Sequence, residues 1–418
     1  MTARLNVFQK TQRLWDRSHP YNAAQAMELS ADFAPEQVDR AFNDALNDLG
    51  LGLFVCHGRS YSIEPAASPV DVMRPDETFD VLMSREMNRP FDADRTMPFR
   101  PFDLSAGGRR LIGLTYQHWV ADSVSIRMLM RQWYSRLTGG GGPNRVRLPT
   151  SGLLGTFGPA TTGWSAVAQA ATLLTFQSWM KRMRRVDSKT DTNVAVLLRS
   201  GPDGLIDAIK PRAKALGATV GDVFLAAAAA ACDAVGPGHP TPRRPHLAMG
   251  TIVDLRARHP NRARNVFGLY LGFTMTPFAA DDLSDFDRLV GRAAAARRTS
   301  LSRRSAEASQ LNMAVGYAFA LTLKPDKLRE FYRKRFPLSG GLSSVNMTPG
   351  WAGDAHPRQM AAYHRVSPTG PMLPLVLTPT TLGRTLRVCC TYRTGLMNEP
   401  RAAELVDDFL ERLVSFAR

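Results

Sequence analysis

The sequence predicts two mixed α/β domains of similar size. Three observations carry that reading. Segments with helical and strand periodicity alternate through both halves, without an early run of βαβ crossovers. A polar stretch from Asp187 to Asn193 interrupts the pattern, which restarts after it, so the boundary falls between domains 1–187 and 188–418. The chain has 418 residues, 44% hydrophobic and 22% charged, enough for large cores and too apolar for disordered or collagen-like classes.

In the first domain a helix is expected from Pro35, a residue suited to the first turn, with Val38, Phe42, Ala45 and Leu46 on one face. The stretch LGLFVCHGRSYSI after it reads as a strand and hairpin. From Arg109 to Tyr116, Ile112, Leu114 and Tyr116 alternate as in a strand, which runs into the short polar joint Gln117 to Ser123. A strong helix follows, with Ile126, Leu129, Met130, Trp133, Tyr134 and Leu137 in one stripe. LTGGGGPN ends it, and because no strand precedes these glycines and no Lys-Ser/Thr follows them, they read as a connection rather than a phosphate loop. Residues 161–186 form a further candidate helix, either a core or interdomain helix or one lying on a membrane surface.

In the second domain Thr219 and Asp222 form a capping box at the head of VGDVFLAAAAAACDAV, whose alanine-rich face implies close helix packing. GPGHPTPRRP reads as a loop, LAMGTIVDLRAR as a strand, residues 284–300 and 302–322 as helices, and GLSSVNMTPG, PLVLTPTT and LRVCCTY as strands. An amphipathic helix with Leu405, Val406, Phe409, Leu410, Leu413 and Val414 closes the chain.

There are 53 Lys and Arg against 37 Asp and Glu, a net charge of +16. Basic residues cluster at Lys181 to Arg185, Arg292 to Arg304 and Lys324 to Arg335. Two readings stand: attraction to a polyanion, or a solvated surface. Nucleic acid is the least favoured polyanion, since the clusters lack interleaved aromatics and a binding-module signature. The longest apolar run, Val223 to Val235, contains Asp233 and is shorter than the roughly 20 residues of a membrane span. The N-terminal stretch has no secretory pattern. Cys56, Cys232, Cys389 and Cys390 have no CxxC spacing and read as reduced thiols of a cytoplasmic protein, with no metal site.

GxSxG, HExxH, P-loop and dinucleotide motifs are missing from the sequence. The chemistry-bearing feature is His118, at the end of a strand and four residues before Asp122. A strand-to-helix joint can hold an imidazole rigidly while leaving it open to a cleft, where it can take a proton from an attacking hydroxyl or amine. A lone histidine in such a place also reads as structural.

The residues around it resemble the condensation and CoA-dependent acyltransferase superfamily, whose hallmark is HHxxxDG at a strand end. Here the heptad is Gln117-His118-Trp119-Val120-Ala121-Asp122-Ser123, or QHxxxDS. NRPFDADRTMPFR upstream, SHPYNAAQAMELS with PEQVDRAFNDAL, TVGDVFLAAAAAA, TIVDLRARHPN with NVFGLYLGF, and GLSSVNMTPG resemble further family segments in the family's order. The resemblance implies two chloramphenicol-acetyltransferase-like domains in a V-shaped pseudo-dimer, with a tunnel at their interface. It implies His118 as general base or positioning group. It implies Asp122 as a structural carboxylate paired with Arg256 across the interface, and Gln117 as a supporting residue. Ser123 stands where the family has glycine and is expected to narrow the tunnel or re-aim the loop. Ser123, Ser343, Ser344 and Asn346 are candidate substrate or oxyanion contacts, with strand packing as the other role for the last three. His364 is expected near the strands of the second domain, with an approach to the cleft. No permanently bound cofactor is implied. The expected donor is a phosphopantetheine-linked acyl group on coenzyme A or on a separate acyl or peptidyl carrier protein, and the acceptor is a small molecule. The expected activity is a stand-alone acyltransferase of secondary metabolism or lipid modification. A condensation enzyme forming an amide and a catalytically silent carrier-docking module are the alternatives. Peripheral membrane contact is a further reading of the basic clusters.

Overall fold

The computed structural model describes residues 2–74, 76–92, 94–106, 109–149, 179–186, 193–256, 266–324, 327–328, 330–331, 337–351, 360–371 and 373–418. Two compact units emerge, one comprising Met1–Pro159, Asp254–Leu271 and Pro349–His364, the other Ala160–Val253, Gly272–Thr348 and Arg365–Arg418. Each unit therefore draws on segments far apart in sequence. The expected boundary at 187/188 and most of the candidate helix 161–186 lie outside the described residues.

The first unit begins with strand β1 (Thr2–Arg4) and helix α1 (Val7–Asp16). Sequence periodicity did not mark α1, although Asn6 and Gln9 form a capping box with reciprocal bonds of 2.9 and 3.0 Å. Then come β2 (Asn22–Leu29), α2 (Pro35–Leu49), β3 (Gly52–His57), β4 (Ser60–Pro65), β5 (Asp71–Val72), α3 (Phe79–Asn88), β6 (Arg95–Thr96), β7 (Phe99–Ala106), β8 (Arg109–Gln117) and α4 (Ser123–Leu137). The helix α2 starts at Pro35 and ends on Gly50 in the left-handed conformation. The stripes expected on α2 and α4 are buried, with the Phe42 and Trp133 rings 4.6 Å apart and the Trp133 indole N–H donating to the Val38 carbonyl at 3.1 Å.

Two sheets lie in this unit. One has the order β1-β4-β3-β6. The other pairs β8 antiparallel with both β2 and β7 and is extended at one edge by β5 and at the other by β14 (Met360–Val366), a strand from near the end of the chain. Residues Leu111 to Gln117 of β8 are buried on both faces rather than alternately, which follows from its central position.

In the second unit, β9 (Val194–Ser200) leads to α5 (Leu205–Ala215) and α6 (Val220–Ala234), then β10 (Leu247–Asp254), β11 (Leu271–Phe278), α7 (Phe286–Ser302), α8 (Ser305–Ala320), β12 (Gly340–Leu342) and β13 (Val345–Asn346). After the short helix Thr348–Trp351 and β14 come β15 (Leu375–Leu382), β16 (Thr385–Arg393) and the closing helix α9 (Glu399–Ala417). The sheet order is β11-β10-β12-β15-β16-β9, with β13 also on β15. The stretch GLSSVNMTPG, expected as one strand, is two short strands and the start of a helical turn. Residues Ala226 to Ala231 of α6 are buried, and their small side chains let α7 and α9 approach closely. Cys389 and Cys390 are successive residues of β16, and all four cysteines are free thiols. Burial pushes the Cys232 thiol up to about 12, so it packs as a small apolar group.

Candidate active site

The joint between β8 and α4 places His118. Its backbone N–H donates to the Tyr21 carbonyl at 3.0 Å, and its imidazole, half-buried, lies 5.5 Å from the Tyr21 ring and 5.7 Å from the Tyr116 ring. Trp119 turns inward, edge-on to Phe54 and Tyr61 at 6.0 and 5.7 Å, with its carbonyl accepting from Gln9 at 3.3 Å. The peptide after His118 is thus fixed by aromatic packing on one sheet while its strand end is fixed by the other.

Gln117 is buried, and its amide nitrogen donates to Asp16 Oδ2 at 2.6 Å. Asp16 Oδ1 accepts from the Tyr21 N–H at 2.7 Å. This carboxylate ties the strand end to the turn that carries Tyr21, on the same side as the His118 backbone bond. Burial raises the Asp16 carboxyl above its ordinary value, against hydrogen bonds from Tyr21 and Gln117 that lower it. Neither Asp16 nor Tyr21 was marked by the sequence reading. The unread capping box of α1, which fixes where Asp16 falls, was the available signal.

Asp122 is the N-cap of α4 and accepts from the Ser125 N–H at 2.9 Å. Its other oxygen accepts from Arg256 Nη1 at 2.6 Å and the Tyr270 N–H at 2.9 Å. Arg256 Nη2 donates to Ser125 Oγ at 2.7 Å and the Gly268 carbonyl at 3.2 Å, and the guanidinium lies over the Tyr270 ring at 4.9 Å. Burial alone would raise the Asp122 carboxyl, but the Arg256 charge and the hydrogen bonds from Arg256, Ser125 and Tyr270 hold it below the usual carboxylate range. Gly268 has φ of +153°, and a Cβ there would come within 2.9 Å of Pro149, so this close approach requires glycine.

The Asp122–Arg256 pair corrects one expectation. It does not join two domains. Residues Asp254–Leu271 belong to the same compact unit as His118, and their described members Arg256, Gly268 and Tyr270 bond to the joint at Asp122 and Ser125.

The other candidates divide between the joint and more distant parts of the fold. Ser123 opens α4, and its hydroxyl accepts from Gln25 at 3.2 Å, so it sits on the joint itself. Ser343, Ser344 and Asn346 belong to the second unit. There the Ser343 carbonyl and hydroxyl accept from Arg365 at 2.9 and 3.0 Å, while Asn346 Oδ1 accepts from the Thr348 N–H at 3.0 Å. His364 belongs to the first unit. Lying on β14, the strand added next to β2, it is buried with Nε2 2.9 Å from Glu28 Oε2. Tyr363 next to it donates to Gln25 at 2.6 Å. Among the described residues no group of three or more His, Cys, Asp or Glu could hold a metal ion. No single described helix is long and apolar enough to cross a membrane.

No protein-family model and no curated protein matches the chain. Solved structures do. The first condensation domain of the CDA synthetase is 17% identical, with a TM-score of 0.67 over 100% of this chain and 96% of that one. The trichothecene 15-O-acetyltransferase TRI3 from Fusarium sporotrichioides is 12% identical, with a TM-score of 0.69 over 99% of this chain and 95% of that one. The starter condensation domain of rhizomide synthetase, solved as a mutant with C8-CoA and Leu-SNAC, is 15% identical, with a TM-score of 0.67 over 100% and 95% of the two chains. At such identities the likeness is one of architecture, and it is consistent along the chain: this protein has the mixed α/β fold of condensation domains and chloramphenicol-acetyltransferase-like acyltransferases.

Proposed function

We propose that the protein is an acyltransferase that moves an acyl group from a thioester of coenzyme A or of a carrier protein to a hydroxyl or amine. The observation that carries this reading is the half-buried His118, held at the β8–α4 joint by the buried Asp122–Arg256 network behind it and the Asp16 tie beside it. Likeness in fold to condensation domains and an acetyltransferase supports it at the level of architecture.

In this mechanism the acceptor's hydroxyl or amine gives its proton to the His118 imidazole while its oxygen or nitrogen attacks the thioester carbonyl. The tetrahedral adduct collapses by breaking the carbon–sulfur bond. The imidazolium returns the proton to the departing thiolate, leaving an ester or amide and a free thiol. No covalent enzyme intermediate is needed, since the thioester is already activated, and much of the rate comes from holding acceptor and donor together. Asp122 and Arg256 act as positioning residues, because their contacts are to the joint. Ser123 at the head of α4 is the candidate nearest His118 in sequence for a contact to substrate.

The test is incubation of the purified protein with acyl-CoA and acyl-carrier thioesters and a panel of alcohols and amines, with products followed by mass spectrometry. His118→Ala should lower turnover by about 10² to 10⁴. Turnover equal to wild type would remove His118 from the reaction. Product from only one donor class identifies the donor.

A further inference from the structure

We propose that the C-terminal half of α8 is a docking surface for an anionic lipid bilayer. The proposal is independent of the acyl-transfer reading and rests on a different part of the molecule.

Residues 305–322 contain one charged side chain, Glu307, and it is buried. The first two turns of α8 anchor the helix: Ala306 to Gln310 are buried, and Ser309 Oγ accepts from the Phe273 N–H at 2.9 Å. Beyond them the helix emerges. Asn312, Val315, Ala318, Phe319 and Thr322 form one exposed stripe at helical spacing. Val315 is 52% exposed, Phe319 61% and the adjoining Leu321 57%. Exposed large apolar residues scattered singly are ordinary, but Val315 and Phe319 share one stripe, and Leu321 just past the helix end adds to the exposed apolar surface there.

Cations bracket it. Arg303 and Arg304 precede the helix and Lys324 follows it, all three exposed, while Lys327 further on is paired with Glu330 at 3.3 Å. No exposed acidic residue lies between Arg303 and Lys324. An apolar helix face with cations at both ends matches a bilayer surface, where the apolar side chains enter the acyl boundary and the cations meet anionic headgroups. A second copy of the chain fits less well. A two-fold contact through this patch would set these cations against their own symmetry mates. The rest of the excess positive charge is not equally available. Within the basic cluster 181–185, Arg184 is buried and paired with Asp233 at 2.6 Å, and in the cluster 292–304 Arg297 is paired with Asp222 at 2.9 Å.

The experiment is flotation of the full-length protein with vesicles of phosphatidylcholine alone and of phosphatidylcholine with phosphatidylglycerol in a two-to-one ratio, at low and high salt. The expected result is flotation with the anionic vesicles that weakens as salt rises. Phe319→Glu combined with Val315→Glu should lower vesicle affinity by at least about tenfold. Arg303→Glu with Lys324→Glu should lower it by a comparable factor and remove most of the salt dependence. Both sites are exposed, so an unchanged thermal melt is expected for each variant, and the charge pair serves as the test if the apolar pair fails to fold. Absence of flotation at low salt overturns the proposal, as does flotation that neither pair of substitutions alters. Concentration-dependent dimerisation abolished by the Phe319 and Val315 changes, without vesicle binding, also overturns it and assigns the patch to self-association.

Discussion

Two aspartates begin two helices in this molecule, and both pair with arginine. Asp122 caps α4 in the first unit, and Asp222 sits three residues after the cap of α6 in the second. Both carboxylates are buried. Their arginines differ. Arg256 is 4% exposed, and its two terminal nitrogens reach Asp122, Ser125 and Gly268 at once, whereas Arg297 is 37% exposed and its Nε donates to both Asp222 oxygens, at 3.0 and 2.9 Å. The remaining bonds of Asp222 are local, to the Thr219 N–H at 2.8 Å and the Thr219 hydroxyl at 2.9 Å. One pair is a helix cap with a charge leaning on it. The other joins the β8–α4 joint to a residue 134 positions away in sequence, with both charges removed from water.

That contrast sets an order of effects. Arg256→Ala leaves a buried carboxylate without its cation and should cost about 3–5 kcal/mol of stability by chemical denaturation, together with loss of the proposed acyl transfer. A loss below about 1 kcal/mol would make the buried pair no stronger than the exposed one. Arg256→Lys keeps the charge but cannot serve Asp122 and Ser125 together, and should cost about 1–3 kcal/mol through the group left unpaired. Asp222→Ala removes the reciprocal half of the capping box and leaves the Thr219 cap, and should cost about 1 kcal/mol, with α6 fraying first in hydrogen exchange. Arg297→Ala should cost about 1 kcal/mol or less, since its partner keeps the cap bonds and water reaches the guanidinium. The folded carboxyl of Asp122 is held below its ordinary value, so its contribution is complete above about pH 4 and fades as acid protonates the folded form. The stability advantage of wild type over Asp122→Asn should therefore be constant near neutrality and shrink below about pH 4. An advantage that grows in acid would give the pairing the wrong sign.

The two pairs also differ in how they could be read. Thr219 and Asp222 are three residues apart and formed a cap signature by spacing alone. Asp122 and Arg256 have no local signal, and only the resemblance of QHxxxDS and VDLRAR to family segments named them together. Stripes such as Ile126 to Leu137 and Val38 to Leu46 were legible because helix burial repeats with a fixed period. Strand order was not. Nothing in the local pattern of MAAYHRV says that it adds to the sheet of β2, so His364 was expected among the second unit's strands. Nor does spacing show that residues 254–271 return to the first unit and bring Arg256 with them. Asp16 went unread because its role depends on the register between α1 and the end of β8, a tertiary fact.

The placement of β14 beside β2 has a consequence for synthesis on the ribosome. The edge of β2 is made when residue 29 emerges, and the strand that covers it ends at residue 366. At ordinary elongation rates the interval is roughly 20 to 70 seconds. Throughout it the nascent sheet presents an open edge, with Gln25 and Glu28 waiting for Tyr363 and His364. Translation speed and chaperone capacity, rather than final stability, should then set the yield of native protein, and a chain stopped at residue 187 should aggregate through that edge.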